Sequence, residues 1–550
     1  MSLHRRRFLA GAPLAVLAAA GSAAGSTAGS AAGSAAGSGS GAAAAPGTAS
    51  GARPGGPAGA GAAAGARLPG RGPDYGALAR GLDGRVVLPG DPDYPEARQL
   101  FQPRYDTVAP AAVAYPAHAG DVAACLDFAR RSAAPVVPRS GGHHYAGWST
   151  RAGGLVVDVS AMDGVALSGT AVRVGAGARL GDVNRTLAAR GRGIPTGLCP
   201  TVGIAGLTLG GGLGVASRAY GATCDRLTGA TAVTPDGVVR EVDADRDPDL
   251  FWALRGGGGG NFAVVTELRF DTHPAAESAY AELHWSAADA DSAAVLRGWQ
   301  RWLAALPEPF WSQVEFLLPS GPPPPPAVRV LCLDGRAELD RQLTRLADLV
   351  GRPPRDSWTA VRGPEETLRA LSGCLERTAA QCRLPGSLPG RGAEGRIVRD
   401  SYGTRSDFWP AAGLPDAGVA AVLARMRRYA QDVPAGGLGV VQFTGDCGGA
   451  VNRPAPADTA FVHRDSAFLT QYLAYWPATA TPAETARHQA WLDALWQDLR
   501  PWAGGRAYQN YTDPKLPDWR AAYYGPNLAR LEEVRRAHDP GRLFRFPQAV

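Results

Sequence analysis

With 550 residues, 45% of them hydrophobic, and a formal net charge of +6, the chain is too long for one small core. Two lobes of roughly one to two hundred residues each are the default for such a length. Five of the six net positive charges fall in residues 1 to 70, which hold Arg5, Arg6, Arg7, Arg53 and Arg67 and no acid; a nearly neutral remainder argues against a nucleic-acid surface, which needs clustered basic residues on the folded part.

The N-terminal stretch HRRRFL (4–9) precedes an apolar run, Ala12 to Ala20, that is too short to span a bilayer. Paired arginines followed by Phe-Leu resemble a twin-arginine export signal. That likeness implies passage through the twin-arginine machinery in folded form and a secreted or extracytoplasmic location, with residues 1–40 as the signal region. Residues 41–75 are Ala/Gly-rich with no means of burying apolar surface, and read as a disordered linker. No stable membrane span is expected.

From about residue 106 short β-rich runs alternate with helical patterns, which predicts an α+β domain. Ala111 to Tyr115 is extended, Gly120 to Arg131 helical, and Pro135 to Arg139 a strand entering the loop RSGGHHYAGW (139–148). Strands at Gly154 to Val159, Ala171 to Gly175, Gly229 to Thr234 and Phe262 to Phe270 follow, with a helix from about Leu180 to Ala189. AVRVGAGARLG (171–181) imitates a dinucleotide-binding turn, but its glycine spacing is wrong and no acid stands about twenty residues on to bind a ribose. The runs GGGLG (210–214) and GGGGGN (256–261) cost backbone entropy. They suit either tight packing or nests of N–H groups around a phosphate-bearing cofactor. Of seven cysteines, an odd number that leaves one outside disulfides, Cys199 stands apart in GLCPTVG (197–203). Cys374 and Cys382 are close in sequence, with their pairing open.

RSGGH (139–143), GLCPTVG (197–203), TLGGGLG (208–214), YGATCD (220–225), DLFWALRGGGGGNFAVVTELRF (249–270) and YQNY (508–511) occur in this order. Together they resemble the berberine-bridge-enzyme-like FAD-linked oxidases. The resemblance implies a vanillyl-alcohol-oxidase/PCMH-type fold: an FAD-binding domain over 106–276, an antiparallel-sheet substrate domain covered by helices over 277–500, and a C-terminal segment, 501–550, returning to the first domain. It also implies flavin tethered twice, by His143 to the 8α-methyl carbon and by Cys199 to C6, with His144 a neighbour. Arg139, Ser140, Gly141 and Gly142 would lie along the pyrophosphate by backbone contacts, with Gly203, Gly206 and Val265 nearby. Leu207 stands where plant members often carry a histidine that bonds the flavin, so that role is void here.

The resemblance further implies Tyr508 as general base, because the YxN motif places a tyrosine at the flavin, and Asn510 as its orienting partner or a cofactor ligand. A phenol titrating near ~10 needs a partner that stabilises its charge. GGAVNRPA (448–455) has no carboxylate where plant alkaloid-forming members place a glutamate. In FLTQYLAYW (468–476), an alternating strand, Gln471 shares a face with Leu469 and Leu473, either towards substrate or within a packed core. Val295, Leu296, Trp299, Trp302 and Leu303 mark the apolar face of a helix over Ser292 to Leu306. Leu384 to Arg396 reads as a mobile border of the entrance. The expected activity is oxidation of an alcohol or hemiacetal carbon in a bulky sugar, glycoside or secondary metabolite, with dioxygen reduced to peroxide and no metal. A dehydrogenase or desaturase with another acceptor, and a redox-inactive flavin- or carbohydrate-binding protein, are the alternatives.

Overall fold

The computed structural model describes residues 72–550; the arginine-rich start and most of the Ala/Gly linker lie outside the described residues. The first lobe holds two sheets. One is mixed, in the order β1 (Arg85–Val87), β2 (Ala112–Tyr115), β4 (Leu155–Asp158), β3 (Val136–Arg139), with β2, β4 and β3 parallel. β2 and β4 are buried along their whole length and β3 over most of it, as expected for parallel strands covered on both faces. Helix Ala119–Ser132 makes the crossover from β2 to β3.

The second sheet is antiparallel. Along the chain come β5 (Val165–Ser168), β6 (Ala171–Gly175), the two-residue β7 (Arg192–Gly193), β8 (Leu227–Val233), β9 (Val239–Val242) and β10 (Val264–Asp271). They order as β5-β6-β10-β8-β9, while β7 pairs with β11 (His273–Pro274). Ala114, Val122, Val157, Val174, Ala230 and Phe270 belong to one core joining both sheets. This lobe starts upstream of residue 106, because β1 pairs with β2 and Leu78 enters the same core.

The second lobe is one seven-stranded antiparallel sheet: β12 (Ser278–His284), β13 (Phe310–Pro319), β14 (Ala327–Cys332), β15 (Asp356–Arg362), β16 (Ser401–Trp409), β17 (Leu438–Thr444) and β18 (Phe468–Trp476), ordered β15-β12-β14-β13-β17-β18-β16. One face carries helices Asp289–Leu303, Asp416–Arg427 and Pro482–Leu499, and Trp299 and Trp302 of the first helix share a core there with Trp409, Phe443 and Phe468 of the strands. The other face looks toward the first lobe. β18 shows the expected split: Phe468, Tyr472 and Ala474 enter the helix-covered core, while Leu469 packs with Tyr508 in a separate cluster between the lobes.

Residues 507–550 return to the first lobe, where Tyr523, Leu531, Val534 and Phe544 complete its core and Phe544 bridges to Val136 of β3. Leu384 to Arg396 is packed rather than standing free at an entrance. Glu96 accepts hydrogen bonds from the N–H groups of Ser387 and Leu388 (3.1 and 2.8 Å), and Leu388 is buried with Val87 and Tyr94. Cys374 and Cys382 form a disulfide. Among the described residues no helix is long and apolar enough to cross a membrane.

Candidate active site

A cavity of about 440 Å³ lies between the lobes. Its first wall begins where β3 ends. The Arg139 guanidinium is buried, paired with Asp158 on the neighbouring strand and donating to the Ala97 carbonyl at 2.6 Å. Ser140 Oγ donates to the Ala176 carbonyl at 2.7 Å. These bonds hold both side chains to the fold, and the main chain of Gly141 and Gly142 stands at the cavity. A Cβ on Gly141 would stand 2.2 Å from the Gly203 nitrogen. This mutual approach of two backbones fixes both glycines and brings the histidine loop against the cysteine loop.

That apposition joins the two predicted tethers. Thr201 Oγ1 lies 2.9 Å from His143 Nε2 and 3.6 Å from Cys199 Sγ. The His143 ring stacks on Phe101 with centroids 4.0 Å apart. Burial, reinforced by the charge of Arg179, lowers its pKa to about 3, so the imidazole is neutral. Burial raises the Cys199 pKa despite the Thr201 hydrogen bond. Cys199 is half-buried at the cavity, whereas the other free cysteines, Cys125, Cys224, Cys332 and Cys447, are buried. His144 also lines the cavity, with its Nδ1 accepting from the N–H groups of Ala146 and Trp148 at 3.2 and 3.5 Å.

The walls fit a long polar cofactor such as FAD. Gly206 and Gly259 line the cavity, and a Cβ on either would meet nothing within 4 Å. The side-chain oxygens of Ser149, Gln509 and Gln548 are buried at the wall without a hydrogen-bond partner. Val265 lines the same space from β10. The two glycine runs divide between the alternatives of packing and cofactor nest. Gly258 to Gly260 face the cavity, but in the other run a Cβ on Gly210 would stand 2.0 Å from Asn510 Oδ1 and one on Gly214 1.9 Å from the Thr196 carbonyl. Gly210, Gly211, Gly212 and Gly214 are glycines because protein packs on them.

The opposite wall is polar. Gln471 donates to the Tyr145 hydroxyl at 3.1 Å, and Tyr145 stacks on Tyr511 with centroids 5.6 Å apart. Gln471 stands opposite Gln442, which stands opposite Glu315, on three neighbouring strands. Gln442 donates to Glu315 at 2.7 Å, and Arg329 pairs with Glu315 and Glu282 at 2.7 and 3.2 Å. Tyr508 is buried, its hydroxyl accepting from the Gly212 N–H and from Asn510 Nδ2, each at 2.9 Å. Those donors favour the phenolate, but burial outweighs them and raises the Tyr508 pKa. Asn510 spends its amide on Tyr508 and on the Leu207 carbonyl, and so orients the phenol. Asp446, buried at the same wall, accepts from Trp311 Nε1 at 2.6 Å, and burial raises its pKa to about 7.

Thr201, Tyr145 and Asp446 escape the sequence reading as site residues, as do Gln442, Glu315, Arg329 and Tyr511. Tyr145 follows the double histidine directly. Asp446 continues the two-residue period of Gln442 and Thr444, all three lining the cavity.

A parallel-plus-antiparallel first lobe, a seven-stranded second lobe and a glycine-lined cavity between them define an FAD-linked oxidoreductase of the PCMH type. Residues 110–243 match the family described as FAD binding domain, and residues 507–550 the family described as berberine and berberine like. An uncharacterized FAD-linked oxidoreductase of Bacillus subtilis, YvdP, is 30% identical over 480 residues, 85% of this chain and 98% of that protein. The chitooligosaccharide oxidase of Gibberella zeae is 31% identical over 470 residues, 80% and 87% of the two chains. The solved structure of Physcomitrella patens BBE-like 1 superposes with a TM-score of 0.76 at 26% identity, covering 86% of this chain and 98% of that one. The chain belongs to the berberine-bridge-enzyme-like FAD-linked oxidases.

Proposed function

We propose that the protein is an exported oxidase acting on an alcohol or hemiacetal carbon of a hydroxyl-rich substrate, such as a sugar chain or glycoside. FAD would be held covalently by His143 and Cys199, with dioxygen as the electron acceptor. FAD bound in this cavity supplies a hydride acceptor that dioxygen can reoxidise.

The observation that carries the reading is the meeting of His143 and Cys199 on one hydroxyl, across a cavity from amide, carboxyl and phenol groups. Because Nε2 of His143 is engaged by Thr201, Nδ1 is the ring nitrogen left for attachment. The main chain of Gly141, Gly142 and Gly258 to Gly260 offers hydrogen-bond donors to the phosphates.

On the substrate side, Gln471 and Gln442 present amides, and Tyr145 and Tyr511 present aromatic faces. Such a wall suits a molecule with many hydroxyls and apolar C–H faces. The chitooligosaccharide oxidase among the relatives supports a sugar chain. The hydroxyl proton of the substrate is taken by Tyr508 working with Asp446, whose negative charge bears on it. Of the two, Asp446 is the group that ionises near neutrality. Arg5 to Arg7 and the short apolar run after them support export by the twin-arginine route.

The purified holoenzyme is incubated with chitooligosaccharides, other oligosaccharides and simple alcohols while dioxygen uptake and peroxide are followed. One peroxide per oxidised oligosaccharide is expected. Turnover that requires an added dye, or reduction of the bound flavin by dithionite but by no alcohol, would refute the oxidase reading.

A further inference from the structure

Among the described residues, the hydroxyl of Thr201 is the one side-chain group within hydrogen-bond distance of both predicted tethers. It is 2% exposed and lies 2.9 Å from His143 Nε2 and 3.6 Å from Cys199 Sγ. A threonine hydroxyl has one proton to give and two lone pairs to accept with. The neutral imidazole can only accept at Nε2 when Nδ1 is the substituted or protonated nitrogen. The contacts then form one directed chain: the thiol donates to Oγ1, and Oγ1 donates to Nε2. We propose that Thr201 is a positioning residue for attachment of Cys199, relaying the thiol proton to His143 Nε2 as the sulfur–carbon bond forms. This inference rests on the two-tether reading above.

The groups facing the pair explain why a relay is needed. Arg179 bears on His143 and opposes a standing imidazolium, while Asp400, Tyr145, Tyr402 and Tyr475 face Cys199. Any negative charge on these opposes a thiolate, the reactive form of cysteine. Neither a free thiolate nor a free imidazolium is favoured, so the proton must move with the bond. In the balanced step the S–H bond and one ring C–H bond break and the S–C bond forms. Two electrons and two protons pass to dioxygen, giving one hydrogen peroxide for each cysteine attached. The proton received at Nε2 is one of the two.

The test compares wild type, Thr201→Val and Thr201→Ser as purified holoenzymes, with flavinylated peptides quantified by mass spectrometry. Wild type and the serine variant are expected to carry flavin on both residues, and the valine variant mainly on His143. When the singly attached valine enzyme is kept in air between pH 6 and 9, Cys199 attachment should proceed slowly enough to be followed, whereas in the serine variant it is complete before purification. Its rate should climb with pH, since hydroxide must replace the relay. Full Cys199 attachment in the valine variant as purified, equal loss in the serine variant, or a slow rate that ignores pH would overturn the proposal. If wild type carries flavin on neither residue, the two-tether reading itself fails, which is a different result from a valine variant that attaches normally. Should the valine variant not accumulate, Thr201→Ala is put through the same measurement.

Discussion

Replacing Asp446 with asparagine should trade activity for stability, and the trade should depend on pH. The side chain is 5% exposed, accepts one hydrogen bond from Trp311, and has a pKa raised by burial to about 7. A carboxyl with its usual pKa of 3.8 in the unfolded chain binds fewer protons there than in the native protein between pH 3.8 and 7. Native stability therefore falls as pH rises through that window, and above pH 7 the full cost of the buried charge is present. At 1.36 kcal/mol per pH unit the cost is about 4 kcal/mol. Asparagine keeps an acceptor for Trp311 and has no charge, so Asp446→Asn should unfold at higher urea than wild type at pH 8, with the gap narrowing toward pH 5. Peroxide release should move the other way. The variant is expected to lose the rise in kcat through pH 7 and to fall about 10²- to 10⁴-fold, the range for a lost acid or base. An asparagine variant that is no more stable than wild type at pH 8, or that keeps the neutral limb of the pH–rate profile, would refute this reasoning.

Replacing Cys199 with alanine should leave colour bound after denaturation through His143, and replacing both residues should release it, as read by fluorescence of the protein on a denaturing gel. Gly203→Ala would set a Cβ 2.1 Å from Ser140 Oγ and 2.3 Å from the Gly141 nitrogen; a loss of about 1–3 kcal/mol should appear in urea unfolding. Tyr145→Phe removes the acceptor of the Gln471 amide; at about 1 kcal/mol for one hydrogen bond, KM for a good substrate should rise roughly fivefold with little change in kcat. Arg329→Met strands Glu315 and Glu282 without their cation, and the cost of about 3–5 kcal/mol for breaking a buried pair should show as low yield or a lowered melting point.

In the first lobe β2, β3, β4, β6, β8 and β10 were legible because each is a short apolar run punctuated by turn residues, whereas the short β1, β5 and β9 were not read. Ala171–Gly175 ends where it was expected. The imitation nucleotide turn there proves to be packing, since a Cβ on Gly177 would meet the Val159 carbonyl at 2.0 Å. The apposition of His143 and Cys199 was legible through motif order. The glycine run at 210–214 misleads because the composition that opens a nest for a ligand also admits a neighbouring backbone or side chain. Thr201 and Asp446 were hidden for a different reason: their roles depend on partners such as His143 and Trp311 that lie 58 and 135 positions away. The second lobe gives little away, because β16 and β18 are buried along their whole length and polar residues such as Gln471 do not stand out by exposure.

One wall of the cavity is supplied by Tyr508 to Thr512 and by Phe544, Phe546 and Gln548, facing residues drawn from positions as early as Val136. A nascent chain still threaded through the ribosome lacks that wall. Cofactor loading must therefore wait until synthesis of this segment is complete, and any product truncated before residue 508 would be a colourless one.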